Sequence, residues 1–138
     1  MRTRIASLVF GAIAVLVLVV TPVSAGDGGV TITLDVNFSR GNGTFTASGA
    51  FCPSGSAVST GNSFSGRVFH VAKTFTCKDR SGTLSIELSA AANDMGTSGG
   101  WKVVGGTGDY SGASGGGQIT GVNSPNGIID TYTGTINR

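Results

Sequence analysis

From Val30 to Phe38 apolar and polar residues alternate without a break. Val30, Ile32, Leu34, Val36 and Phe38 fall on one side, and Thr31, Thr33, Asp35 and Asn37 on the other. A two-residue period puts successive side chains on opposite faces of an extended strand, so one face is buried and the other meets water. The pattern returns at Thr44–Phe51, in Thr83–Ala90 with Leu84, Ile86, Leu88 and Ala90 inward, and again from Ile128 to Ile136. No ten-residue stretch beyond the N-terminal segment carries a helical apolar period, and 24 glycines work against helices as well. The chain reads as all-β.

Turn chemistry divides these runs. Ser39-Arg-Gly-Asn-Gly43 joins the first two as a hairpin, since Asn-Gly takes positive φ cheaply. Cys52-Pro-Ser-Gly55 breaks the pattern, and the Ser/Gly-rich stretch to Ser63 reads as a loop. Phe64 to Cys77 is strand-like, but apolar residues occur in both phases, so a bulge or bend is expected near Gly66 or His70. Lys78 to Gly82 is a turn, Ala91 to Gly100 reads as a loop, and Trp101–Val104 and Gln118–Val122 read as short strands around the glycine-dense segment 105–117. That makes seven strands, or eight if the long middle segment splits. Sequential tight turns favour an antiparallel up-and-down, calycin-like barrel, whose closure removes exposed edges; a β-sandwich is the alternative.

Residues 1–25 read as a secretory signal peptide. Arg2 and Arg4 precede an uncharged apolar run from Ile5 to Val20, and Val23-Ser-Ala25 is a small–x–small cleavage pattern, with the cut after Ala25. The run is 16 residues, against the roughly 20 that span a bilayer. The expected product is one domain, 26–138, which is the 138-residue chain less 25, or 113 residues. Removing Arg2 and Arg4 from nine basic residues leaves seven against seven acidic ones, so the +2 of the whole chain belongs to the export segment. A neutral product argues against nucleic acid and against a polybasic membrane partner. One His and two Cys fall short of the usual zinc or iron–sulfur ligand sets, so no metal is expected. In an oxidising compartment Cys52 and Cys77 are expected to pair, and closing that 25-residue separation contributes about 3.5 kcal/mol through loop entropy.

The most distinctive stretch is Trp101-Lys-Val-Val-Gly-Gly-Thr-Gly-Asp-Tyr-Ser-Gly-Ala-Ser-Gly-Gly-Gly117. It is not a nucleotide loop, because no helix follows to present its N-terminus to a phosphate. Gly106, Gly108, Tyr110, Gly112, Gly115 and Gly117 resemble the glycine signature of the dirigent and allene oxide cyclase-like barrels, above all their small secreted bacterial relatives. The resemblance extends to Asp130-Thr-Tyr132-Thr-Gly134 and covers about the last 40 residues. It implies a closed eight-stranded barrel with a central cavity used without a cofactor. It carries over no catalytic residue, because the shared motif is a turn and a strand pair.

Chemistry must then come from polar groups on inward faces. Asp130 and Tyr132 share a phase with Ile128 and Ile136, and an inward carboxylate needs a partner, for which Arg67 or the glycine-rich loop is expected. His70 is the single side chain whose ordinary pKa lies near neutrality. Gly96-Thr-Ser98-Gly-Gly100 and Gly112-Ala-Ser114-Gly-Gly116 match the letters of a nucleophile elbow, but neither leads into a helix. Trp101 and Tyr110 complete the candidate pocket set, as cavity linings or as core anchors. Asn37 and Asn42 sit in glycosylation acceptor patterns. The reading is a cofactor-free binder of a small apolar or aromatic molecule inside the barrel, rather than an established enzyme. A cyclase or isomerase using Asp130 and Tyr132, a structural or inhibitor-like surface protein acting through 52–63, and a carbohydrate binder stacking on Trp101 and Tyr110 are the alternatives. Small barrels also pair into homo-oligomers, but no feature sets a number.

Overall fold

The buried positions of β1 (Gly28–Asn37) are Val30, Ile32, Leu34 and Val36, with Thr31, Thr33 and Asp35 outside, as the alternation requires. The computed structural model describes residues 28–138; the segment 1–25, expected from its sequence to be a signal peptide, lies outside them. After β1 come β2 (Asn42–Gly49), β3 (Ser54–Ser65), β4 (Val68–Cys77), β5 (Gly82–Asn93), β6 (Gly96–Gly108), β7 (Ser114–Ser124) and β8 (Gly127–Asn137). Each strand pairs antiparallel with the next, and β8 returns to β1, with Ile32 opposite Tyr132 and Leu34 opposite Asp130. The chain is a closed eight-stranded up-and-down barrel, not a sandwich, and its described residues form no helix. Closure leaves no unpaired edge for another chain to extend.

The up-and-down path places four turns at each end, counting the termini. The upper end carries 38–41, 66–67, 94–95 and 125–126; the lower end carries 50–53, 78–81, 109–113 and both ends of the described chain. The lower half is packed solid with rings. Phe51 meets Tyr110 at 4.9 Å and Phe45 at 5.4 Å, Phe45 meets Phe75 at 5.4 Å, Phe75 meets Tyr132 at 5.6 Å, and Tyr132 meets Trp101 at 6.2 Å between centroids. Most are edge-on, the arrangement that aromatic quadrupoles prefer. Cys52 and Cys77 are disulfide-bonded beside this cluster, as expected, with Cα atoms 6.0 Å apart.

Several strands extend further than their apolar pattern shows. The Ser/Gly-rich stretch read as a loop is β3, where Ala57 is the one buried residue. A strand is held by its ladder, and β3 pairs along nearly its whole length with β4, so its exposed side chains give no signal. The long middle segment does split, at a turn on Gly66 and Arg67 with Gly66 at φ 62°, and the bulge lies earlier, between Ser59 and Gly61. The expected loop 91–100 is the paired end of β5 and start of β6. Phe38, expected inward, lies in the β1–β2 turn and is 66% exposed. In the glycine-rich segment, Gly106 lies in β6 and Gly115 and Gly117 in β7. Gly108, the last residue of β6, and Gly112 in the following turn take φ 60° and 77°, and a Cβ at Gly108 would run into the Ser81 carbonyl. That turn swings Tyr110 into the lower end, where it is 1% exposed.

Candidate functional site: a cavity floored by Lys73 and Asp130

On β4, Phe69, Val71, Lys73, Phe75 and Cys77 occupy one phase, so the inward face includes a lysine. On β8 the inward phase brings in Asp130 between Ile128 and Tyr132. The two charges meet inside the barrel: Lys73 Nζ donates to Asp130 Oδ2 at 3.1 Å, with the side chains 8% and 7% exposed. The Tyr132 hydroxyl donates to the same oxygen at 3.4 Å, and Lys73 Nζ stands 5.9 Å from the Tyr132 ring centroid. Room for the carboxylate comes from Gly121, which faces Asp130 across the β7–β8 ladder. A Cβ there would press on the Thr97 hydroxyl and lie 2.6 Å from Asp130 Oδ1. Burial, then the adjacent Asp130 charge and the hydrogen bond to it, hold the Tyr132 phenol well above its ordinary pKa, so it stays a protonated donor.

Above this pair the barrel opens toward its upper end. A cavity of about 460 Å³ has Lys73 and Asp130 among its lining. Val36, Val71, Leu88, Ile119 and Ile128 form apolar walls, and the lining reaches outward to Phe38, Phe64, Asn93 and Asn123 near the upper turns. Phe64 is 76% exposed and packs 6.3 Å from Phe69 between ring centroids. Ser59, Asn62, Asn93, Thr97 and Asn123 add polar groups to the lining, so the cavity joins apolar walls to polar groups, as small-molecule sites do.

Of the residues expected to form the pocket, Asp130 and Tyr132 do come together. The partner of Asp130 is Lys73; Arg67 is exposed in the β3–β4 turn. His70 is also exposed, on the outward phase of β4, where it borders an open outer groove with Glu87 and Ser89. His70 cannot reach the interior, because a strand sends every second side chain out, and Arg67 lies in the turn rather than on an inward strand face. Trp101 lies inside, against Tyr132, and its indole N–H donates to the Gln118 and Thr133 carbonyls at 3.1 and 3.3 Å. Tyr110 plugs the opposite end from the cavity. With Trp101 5% and Tyr110 1% exposed, neither ring offers a stacking face to a sugar. Lys73 is the member of this candidate site that sequence reasoning missed. Its signal was present, as a charge in phase with Phe69, Val71 and Phe75. No family model, no curated protein and no solved structure matches the chain.

Proposed function

We propose that this protein binds a small apolar or aromatic molecule in the upper half of its barrel, without a cofactor. The observation that carries the reading is the 460 Å³ cavity whose walls are apolar and whose floor is an ion pair. Burying two charges costs several kcal/mol per ion, and their attraction repays this only with good geometry, so such a pair is a poor stabiliser of a small domain. On the floor of a chamber it has a chemical use. Opposite charges 3.1 Å apart give the floor dipoles without net charge, which suits a largely apolar ligand carrying a neutral polar end. Closure with eight strands supports the relation to dirigent and allene oxide cyclase-like barrels suggested by the segment from Gly106 to Gly117. The Cys52–Cys77 bond supports export into an oxidising compartment.

The neutral dye N-phenyl-1-naphthylamine tests the reading by fluorescence titration. Val71→Phe puts a ring into the chamber and is expected to abolish dye binding while the melting temperature holds. Dye binding unchanged by Val71→Phe would place the dye elsewhere and overturn the proposal.

A further inference from the structure

We propose that Lys73 is a covalent capture site for apolar aldehydes, which it holds as a protonated imine with Asp130 as counter-ion. The inference rests on the cavity-binding reading and names a ligand class for it. Lys73 is the one buried lysine of the three in the chain: Lys78 is exposed and Lys102 has 68% of its side chain exposed, in an outer pair with Glu87. An ammonium has three N–H donors, and Asp130 Oδ2 takes one; the same side chain borders the cavity. A carbonyl entering from the upper turns therefore meets the nitrogen at the end of an apolar passage.

Three features suit imine formation rather than simple hydrogen bonding. The carboxylate lies on the nitrogen itself, at 3.1 Å, within reach for proton transfer in both directions. The Lys73 side chain is only 8% exposed, which limits the water that would hydrolyse the product. The positive charge that the imine retains finds its partner already in place, further fixed by the Tyr132 hydroxyl. In sequence, Lys73 gives one proton to Asp130, the neutral amine adds to the carbonyl carbon to form the C–N bond while the C=O π pair moves onto oxygen, and a nitrogen proton shifts to that oxygen to give a carbinolamine. Asp130 then returns the proton to the carbinolamine hydroxyl, the C–O bond breaks and water leaves. The product is C=N⁺–H beside an ionised Asp130, with one water released and no oxidant or reductant consumed.

The test uses the oxidised full-length mature protein with decanal, trapped by sodium cyanoborohydride and read by intact mass and peptide mapping. The expected result is one adduct, at Lys73, with the mass of decanal less one oxygen. Lys73→Arg is expected to remove it, and Asp130→Asn to slow it about 100-fold, the loss typical of a missing general acid–base. Val71→Phe is expected to block it with Lys73 intact, which keeps the test decisive if Lys73→Arg folds poorly. Labelling spread over Lys78, Lys102 and the α-amino group, or undiminished in Val71→Phe, overturns the proposal. Decanal that displaces the dye yet leaves no adduct at Lys73 overturns the imine while leaving cavity binding standing; failure of both dye and decanal to bind removes both.

Discussion

At the lower end of the barrel Phe51, Tyr110 and the Cys52–Cys77 bond close the interior, and Phe45 and Phe75 fill the space above them. At the upper end the same eight strands enclose a chamber, and two large apolar side chains, Phe38 and Phe64, stand out in water beside it. The floor between the halves is Tyr132, whose ring packs on Phe75 below while its hydroxyl meets Asp130 above. Each large side chain fully buried below contributes about 1.5–3 kcal/mol relative to exposure. The half above has smaller buried side chains such as Val36, Leu88 and Ile119, and spends desolvation on two charges. The difference teaches that dense packing and open space are divided along the barrel axis, so that the open half can keep a cavity because the other half holds the fold.

The largest effect expected from this division is at Phe75, which is fully buried and touches Phe45, Phe51 and Tyr132. Phe75→Ala should cost about 3–5 kcal/mol in urea unfolding, whereas Phe64→Ala at the exposed rim should stay within about 0.5 kcal/mol. Equal losses at the two positions would break the comparison. Next comes the disulfide. Cys52→Ala with Cys77→Ala should lower stability by about 3.5 kcal/mol, the loop-closure entropy of 25 residues. Dye affinity below the melting transition should be unchanged, and its loss would show that the sealed end shapes the open one.

Which half a residue belongs to was unevenly visible in the sequence. β1, β8 and the first part of β5 announce themselves, because Val30 to Val36, Leu84 to Ala90 and Ile128 to Ile136 keep an apolar phase. β3 and the start of β6 do not. Their inward positions include Gly55 and Gly99, where a Cβ would strike the Thr76 or Ser89 carbonyl, so backbone proximity replaces the apolar side chain that patterning looks for. The site was half visible for a related reason. Asp130 and Tyr132 sit in an otherwise clean inward phase. Lys73 sits in a segment where Val68, His70 and Ala72 blur the phase, and a lysine there reads as a solvent-facing residue until the ladder fixes its side. Arg67 is a partner for Asp130 by charge alone, and the turn at Gly66 puts it outside.

The ion pair gives the third effect. Lys73→Met leaves Asp130 buried without its cation and should cost about 3 kcal/mol, whereas Lys73→Met with Asp130→Leu should be near wild type or about 1 kcal/mol more stable. Urea unfolding of both, completed as a cycle with Asp130→Leu alone, measures the coupling. A double variant as unstable as Lys73→Met would mean that the pair holds the barrel together, and the upper half would lose its claim to be built for binding.

The smallest effect lies at the boundary. Tyr132→Phe keeps the ring that packs on Phe75 and removes a 3.4 Å hydrogen bond, so at neutral pH it should cost at most about 1 kcal/mol. Alkaline pH reverses the order. The folded phenol is held well above 10.0, so its contribution is fully present below that value. Above it the unfolded chain releases the proton while the folded one keeps it. Stability then falls with rising pH, by at most about 1.4 kcal/mol per unit, until the folded group titrates too. The phenylalanine variant lacks this loss. Urea midpoints measured from pH 8 to 11 should therefore converge and cross near the top of the range. Parallel curves would mean that the Tyr132 hydroxyl is not sealed between the packed half and Asp130, and the floor of the cavity would have to be placed elsewhere.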